Sequence, residues 1–261
     1  MRLENEVVVI TGGTAGIGFE TARLACAEGA HVAIVGREHD DVERAVKRLG
    51  VGDGRARGFV GDVTNHDDVR RNTAEIIDSF GRITVLVNNA GHEVKSPAEE
   101  ISEEHWRHEI DVNLTGPFFW AQAVATASMI PNRRGAIINV GSGGSLAAIP
   151  TSASYVAAKH GLIGLTKALA VDWGQYGVRV NCVCPGLTWT DLAKSVAEKD
   201  PEAMKAKEAS IPIGRGAQPS EPAKAILFLA SSDAEGITGA TLAVDGGATA
   251  LESGYAPPRN K

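Results

Sequence analysis

Short apolar runs rich in Val and Ile alternate along the whole chain with longer segments of helical period. The apolar runs lie at about 6–11, 31–35, 56–60, 83–88, 135–140, 178–183 and 240–244. The helical segments lie at about 16–29, 39–50, 66–80, 98–128, 152–175, 190–209 and 220–231. Such alternation is typical of parallel strands joined by crossover helices. We therefore predict an α/β fold with a doubly wound, mostly parallel sheet of about seven strands and helices on both faces.

The alternation has no interruption that would mark a domain boundary. No linker, internal repeat or block of like charge occurs, so we predict a single domain over residues 1–261. The chain is 43% hydrophobic and 22% charged, which is close to average usage and rules out a disordered or collagen-like protein.

Charge and cysteine content exclude several classes of function. A net charge of −6 argues against a general affinity for nucleic acid or an anionic membrane. Three cysteines without a CxxC spacing predict neither a disulfide framework nor a zinc site, and they favour the cytoplasm. We expect Cys182 and Cys184 to send one sulfur to each side of their strand. Acidic residues near the start, and no run of 18 apolar residues, predict no signal peptide or membrane span.

A glycine-rich turn, TGGTAGIG at 11–18, directly follows the first apolar run. Gly12 permits a tight turn, Gly16 lets the backbone approach a pyrophosphate, and Gly18 lets the next helix pack on the strand. The N-terminus of that helix attracts an anion. This placement predicts a dinucleotide site, although a structural loop could look similar.

Further motifs follow the turn in a fixed order. They are NNAG at 88–91, Asn113 within DVNLTG, Ser142 after the fifth apolar run, Tyr155 four residues before Lys159, and Pro185-Gly186 after the sixth. Together with the TGxxxGxG turn, these motifs resemble the short-chain dehydrogenase/reductase family, over nearly the whole chain through Gly247. The resemblance implies a Rossmann-type domain that interconverts a carbonyl and a secondary alcohol by hydride transfer with a nicotinamide cofactor.

Tyr155 and Lys159 can also be interpreted from the residues alone. Four residues apart on a helix, the two side chains lie on one face. A nearby ammonium stabilises a phenolate, so we expect Lys159 to lower the pKa of Tyr155 and to let it act as general acid or base. Ser142, at the carboxyl end of a strand, could hydrogen-bond a substrate carbonyl, with Ser145 as a competitor.

Asn113 is assigned by the resemblance alone. Its place in DVNLTG implies that it holds a water in a proton relay behind Lys159. A buried asparagine that bends its helix is the alternative.

Cofactor choice depends on the end of the second strand. A carboxylate about 20 residues beyond the glycine turn binds the ribose hydroxyls of NAD. Here Gly36 stands at that place, followed by Arg37, which can pair with a 2′-phosphate. We therefore predict NADP(H), with NAD(H) still open because Glu38 is adjacent and Arg37 could be an ordinary surface residue.

The resemblance implies further contacts. Asp62 and Val63 match the adenine contact, and Asn89, Ala90 and Gly91 match the wall beside the ribose. The other implied cofactor contacts are Thr14, Ile17, Tyr155, Lys159, Pro185, Gly186, Thr188 and Thr190. Thr190 could instead only cap the following helix. We expect the substrate to contact Ser142, Tyr155, His92, Gly143, Leu187 and Trp189, under an apolar lid at about 187–216 and beside a tail at about 248–261. His92 could instead be an ordinary loop histidine.

Alternatives remain at this stage. The chain could be an NAD-linked alcohol dehydrogenase or a non-catalytic nucleotide-binding regulatory protein. The Tyr-to-Lys spacing of four favours carbonyl chemistry over C=C reduction, since related enoyl reductases use a wider spacing. Relatives usually form homotetramers through the helices that match about 98–128 and 152–175. No metal is expected, because the residues around His105 and His108 predict a solvated face; they are Glu103, Glu104, Arg107 and Glu109.

Overall fold

The computed structural model describes residues 1–52 and 54–252, and its centre is a seven-stranded sheet. The strands are β1 (Val7–Thr11), β2 (His31–Gly36), β3 (Ala56–Val60), β4 (Val85–Asn88), β5 (Gly135–Val140), β6 (Val178–Pro185) and β7 (Thr241–Val244). They pair in the order β3-β2-β1-β4-β5-β6-β7, and every neighbouring pair is parallel. The predicted sheet is confirmed. Of the predicted tail, residues 253–261 lie outside the described part of the chain.

Helices cover both faces of this sheet. They are α1 (Gly16–Ala27), α2 (His39–Leu49), α3 (His66–Phe80), α4 (Glu103–Ile110), α5 (Gly116–Val124), α6 (Ala153–Gly174), α7 (Asp191–Lys199), α8 (Pro201–Ala209) and α9 (Ser220–Ala230). One apolar cluster joins the sheet to α1, α2 and α9, and a second joins it to α3, α5 and α6. Every residue of β1, β4 and β5 is buried, as expected for parallel strands covered on both sides.

The long helix predicted over 98–128 is divided. It begins as a separate 3₁₀ turn at Ala98–Glu100, and the Ser102 hydroxyl then caps α4 by accepting the N–H three residues later at 3.1 Å. Two π-helical segments, Asp111–Thr115 and Ala125–Met129, follow α4 and α5. The helical period of the sequence does not reveal these wider turns.

The segment predicted over 190–209 forms two helices instead of one. Pro201 has no N–H and disfavours helical geometry at the residue before it. Asp200 accordingly has φ −143° and ψ 77°, and its carboxylate accepts the Ala203 N–H at 3.0 Å. The chain therefore turns between α7 and α8.

The cysteines correct one expectation. Cys182 and Cys184 lie on the same side of β6 with their sulfurs 3.7 Å apart, because residues two apart on a strand share a face. Both are free and buried, as is Cys26. Separately, none of the helices in the described ranges is both long and apolar enough to span a membrane.

The strand order reverses between β1 and β4, and the functional motifs gather there. The glycine turn follows β1, NNAG overlaps the end of β4, and Ser142 follows β5. In open α/β sheets, ligands bind outside the carboxyl ends of strands at such a point.

Removing the largest fully buried side chain tests this packing. Trp120 on α5 is 1% exposed within the second apolar cluster, whereas Trp106 on α4 is 43% exposed. We expect Trp120→Ala to lower the free energy of unfolding by about 3–5 kcal/mol, because a cavity replaces the indole. Trp106→Ala, the matched control, should cost less than about 1 kcal/mol. Chemical denaturation measures both, and equal losses would contradict the described burial.

Candidate active site

The glycine turn is held in shape by Asn89. Its side-chain amide donates to the carbonyl oxygens of Thr11 and Gly12, each at 3.0 Å. Gly12 has φ +62°, and a Cβ on Gly18 would lie 2.4 Å from the Gly12 carbonyl oxygen. Larger residues would therefore displace the turn. Asn89 therefore supports the turn directly, and its predicted place beside a ribose stays a prediction.

The residues at the start of α1 fit a dinucleotide pyrophosphate. Ala15, at the N-cap, makes no side-chain capping bond, and the first turn contains no acidic residue. The N–H groups of this turn, which includes Gly16 and Ile17, can therefore receive an anion. A Cβ on Gly16 would lie 3.1 Å from the Thr190 methyl group, so the lid segment contacts the turn.

The end of β2 has no room for a carboxylate side chain. A Cβ on Gly36 would lie 2.8 Å from the Thr14 methyl and 2.9 Å from a methyl of Val42. Arg37, the next residue, is exposed, and its guanidinium makes no hydrogen bond or ion pair within 1–52 and 54–252. Arg37 directly follows β2, and its guanidinium is thus available to a ligand.

Ser142, Tyr155 and Lys159 come together at the carboxyl end of β5. Ser142 follows β5, and the other two lie on α6, where the Lys159 Nζ is 5.7 Å from the centre of the Tyr155 ring. Lys159 is 3% exposed and donates to the Val140 carbonyl oxygen at 2.9 Å. The predicted juxtaposition of these three residues is present in the structure.

Burial has the largest effect on the pKa values of Tyr155 and Lys159. It raises the pKa of Tyr155 to about 12, with the Ser142 hydroxyl acting in the opposite direction and the charges of Glu93 and Glu109 adding to the rise. Burial also lowers the pKa of Lys159 to about 8. The expectation that Lys159 lowers the tyrosine pKa does not describe this structure, because loss of water outweighs any effect of an ammonium directed at a backbone carbonyl.

The serine competitor and the two glycines are also placed. The Ser145 hydroxyl accepts the Ser142 N–H at 3.1 Å and is buried, so Ser142 alone adjoins Tyr155. A Cβ on Gly144 would lie 3.3 Å from the tyrosine ring, whereas one on Gly143 would have only the Pro185 oxygen near it, at 3.9 Å. Gly143 therefore leaves open space, and Gly144 serves close packing.

Asn113 lies in the π-helical segment after α4. Its amide nitrogen donates to the carbonyl oxygens of His92 and Glu109, at 2.7 and 3.0 Å, and its oxygen accepts the His92 N–H at 3.2 Å. A Cβ on Gly91 would touch both the Asn113 oxygen and the Lys159 Nζ, at 3.1 and 3.6 Å. Asn113 is thus near Lys159, and its bond to Glu109 also fits the helix-bending alternative.

The remaining predicted residues border this site in different ways. Thr190 caps α7 by accepting the Ala193 N–H at 3.2 Å while its methyl adjoins Gly16, so both of its suggested roles are possible. The Trp189 indole donates to Glu208 at 3.0 Å, which anchors the lid. The Asp62 carboxylate accepts from Thr64 at 2.8 Å.

Three further predicted residues lie just beyond the carboxyl ends of strands. Val63 is buried beneath the helix start at Gly116, Ala90 donates its N–H to the Thr11 hydroxyl at 3.1 Å, and Gly186 packs against Asp245. The predicted lid, with Leu187 at its start, has no buried residue in α7 or α8.

Sequence reasoning missed two carboxylates and two serines beside Tyr155. Glu109 was predicted on a solvated face, but its side chain is 0% exposed, and its oxygens accept the Val94 N–H at 2.6 Å and the Ser154 hydroxyl at 2.8 Å. The Ser152 hydroxyl donates to Glu93 at 2.7 Å. One feature of the sequence indicates that Glu109 is buried. It lies four residues before the buried Asn113, so both residues are on one helix face.

Comparisons with known proteins find relatives over nearly the whole chain. A family model described as enoyl-(acyl carrier protein) reductase matches residues 12–249. The chain is 41% identical to 2-(S)-hydroxypropyl-CoM dehydrogenase 3 of Xanthobacter autotrophicus, over 96% of this chain and 99% of that protein. It is 38% identical to D-threitol dehydrogenase of Mycolicibacterium smegmatis, over 95% and 94%.

A solved structure is similar over the same extent. It is a phenylalanine-to-tryptophan variant of actinorhodin polyketide ketoreductase with NADPH, 35% identical, with a TM-score of 0.89 and coverage of 94% of this chain and 98% of that one.

The buried lysine generates a pH-dependent prediction. The pKa of Lys159 is about 8 in the folded chain and 10.5 ordinarily. Between these pH values the unfolded chain binds more protons than the folded chain, so the free energy of unfolding rises with pH. The cost of burying the charge is fully present below about pH 8. Relative to Lys159→Met, the natural protein should gain about 2–3 kcal/mol of unfolding free energy between about pH 7 and pH 10.

Denaturant titrations of both proteins at the two pH values measure this difference. The lost bond to Val140 affects both pH values equally, so it cancels. A difference that does not change with pH would contradict the described burial of the ammonium.

Proposed function

Because the chain belongs to the short-chain dehydrogenase/reductase family, whose NAD(P)-dependent members act on CH–OH and C=O groups, we propose that Tyr155 is its general acid/base. The convergence of Tyr155, Ser142 and Lys159 at the carboxyl edge of the sheet carries this proposal. A bound nicotinamide supplies or accepts the hydride. In the reducing direction, Tyr155 donates its proton to the carbonyl oxygen that Ser142 orients.

The supporting residues have distinct roles in this proposal. Lys159 binds the ribose hydroxyls next to the nicotinamide, and Asn113 supports proton resupply through water. The phenol is protonated at neutral pH, as general acid catalysis of carbonyl reduction requires, because burial raises the pKa of Tyr155. His92, Gly143, Leu187 and Trp189 border the substrate.

The proposed cofactor contacts lie near the carboxyl ends of the strands. We propose that Gly12, Thr14, Gly16, Ile17 and Gly18 bind the pyrophosphate side and that Arg37 binds a 2′-phosphate, which makes NADP(H) the preferred cofactor. The further proposed contacts are Asp62, Val63, Asn89, Ala90, Gly91, Pro185, Gly186, Thr188 and Thr190. One domain serves both cofactor and substrate. The homotetramer and the cytoplasmic location stay predictions.

Removing the phenol oxygen tests the catalytic assignment. We expect Tyr155→Phe to lower kcat by about 10²–10⁴-fold, since general acid catalysis contributes that much, while the Kd for the cofactor changes little. Tyr176→Phe, which removes the same atom from a tyrosine remote from Ser142, is the matched control. Turnover is followed by NAD(P)H absorbance across a carbonyl panel. Near-normal turnover by Tyr155→Phe would exclude the assignment.

A cofactor titration tests the role of Arg37. Intrinsic tryptophan fluorescence should report tighter binding of NADPH than of NADH. Arg37→Ala should weaken NADPH about ten- to a hundredfold and leave NADH within about threefold, because only the 2′-phosphate loses a charge-assisted bond. Arg44→Ala on α2 is the control. Equal or tighter binding of NADH to the natural protein would instead favour an NAD-linked alcohol dehydrogenase.

A further inference from the structure

The loop after NNAG, residues 92–96, is fixed at several points beside the catalytic residues. The His92 backbone exchanges two hydrogen bonds with the Asn113 amide, at 3.2 and 2.7 Å. The Val94 N–H donates to Glu109 at 2.6 Å, and the Ser96 N–H donates to the Thr151 carbonyl at 2.8 Å. Four backbone bonds within five residues hold this loop against α4 and the start of α6. The backbone from which its side chains project is therefore fixed.

Glu93 lies in the middle of this loop and turns toward the helix that carries Tyr155. One carboxylate oxygen accepts the Ser152 hydroxyl at 2.7 Å, and Ser152 is the N-cap of α6, three residues before the tyrosine. The serine is buried at 1% exposure, whereas Glu93 is exposed. The second oxygen of Glu93 accepts no hydrogen bond from residues 1–52 or 54–252. A carboxylate oxygen is thus held beside the site with free acceptor capacity.

Glu109 shows by contrast what a purely structural carboxylate looks like here. It is fully buried, and both of its oxygens are occupied, one by a loop N–H and one by the Ser154 hydroxyl. It fixes the loop, and its side chain is 0% exposed. Of the two carboxylates that act on the tyrosine, Glu93 is the one that a substrate can reach.

We propose that Glu93 is a substrate-binding residue and selects alcohols and ketones that carry a hydroxyl on the carbon next to the reacting one. This proposal rests on the carbonyl–alcohol chemistry proposed above. A hydroxyl on the neighbouring carbon can donate to the free carboxylate oxygen while the reacting oxygen lies at Tyr155 and Ser142. Vicinal diols and α-hydroxy ketones are the compounds with this arrangement.

The same carboxylate acts against anionic substrates. A substrate carboxylate on the neighbouring carbon would face a like charge and offer no proton to bond with. The charge of Glu93 acts on the Tyr155 phenol, so it is felt close to the reacting atoms. We therefore expect discrimination in two directions, toward a hydroxyl and away from a carboxylate.

Three alcohols with different groups on that carbon test the proposal. They are 2-butanol, 2,3-butanediol as a mixture of stereoisomers, and lactate, each oxidised with the preferred cofactor. Because a hydrogen bond to a charged group contributes about 1.5–3 kcal/mol, kcat/KM for the diol should exceed that for 2-butanol about ten- to a hundredfold. Lactate should be oxidised more slowly than 2-butanol.

Variants separate the charge of Glu93 from its shape. Glu93→Leu should abolish the preference for the diol, so that the ratio of kcat/KM for the diol to that for 2-butanol falls to about one. Glu93→Gln should raise kcat/KM for lactate relative to 2-butanol, a change that a role in folding alone would not produce. Glu100→Gln removes an exposed carboxylate from the 3₁₀ turn that follows the loop and should change neither ratio. If the Glu93 variants fail to fold, Ser152→Ala, which frees the carboxylate from its anchor, should still reduce the diol preference.

The possible results distinguish failure of the Glu93 proposal from failure of the proposed function. Equal kcat/KM values for the diol and 2-butanol, or a diol preference that survives Glu93→Leu, would overturn the proposal while leaving the carbonyl–alcohol activity in place. If cofactor binds and no alcohol or carbonyl compound turns over, the proposed function fails and this proposal fails with it.

Discussion

The bond from the Lys159 ammonium to the Val140 carbonyl joins the two halves of the site. Val140 ends β5, two residues before Ser142, and Lys159 lies one helical turn after Tyr155 on α6, so this one 2.9 Å contact sets the helix against the strand. An ammonium buried without a carboxylate partner costs folding free energy. The chain bears that cost at the position where the proposed mechanism uses a cation, and the surrounding apolar clusters offset it.

A second set of buried polar contacts keeps β4, β5 and α6 in register. The Asn88 amide donates to Asn139 and to the Pro117 carbonyl, and the Asn139 amide donates to the Thr166 hydroxyl at 2.9 Å. Two strands and two helices, α5 and α6, are thereby linked. The amide nitrogens of this network are paired, which favours one arrangement, while the Asn88 Oδ1 has no partner among the described residues. The same strands end at NNAG and Ser142, so their register determines how the proposed cofactor and substrate sites align.

Local sequence signals account for the sheet and for much of the site. The strands follow from period and β-branched content, the turn from its glycines, and the Tyr155–Lys159 pair from helical spacing. Glu109 was misjudged because its burial depends on Val94 and Ser154, which are 15 and 45 residues away. The tyrosine pKa was misjudged for a similar reason. Spacing identifies a neighbouring ammonium, but only the packed structure shows how much water both groups lose.

Burial is the main cause of both pKa shifts at the Tyr155–Lys159 pair, and together the shifts define where the proton is held. Burial disfavours the phenolate and the ammonium alike, so the pKa of Tyr155 rises to about 12 and that of Lys159 falls to about 8. Glu93 and Glu109 act on the tyrosine in the same direction as burial. Their carboxylates accept hydrogen bonds from Ser152 and Ser154, which are the N-cap and the second residue of α6. The serines that precede Tyr155 thus place negative charge where it keeps a proton on the phenol oxygen.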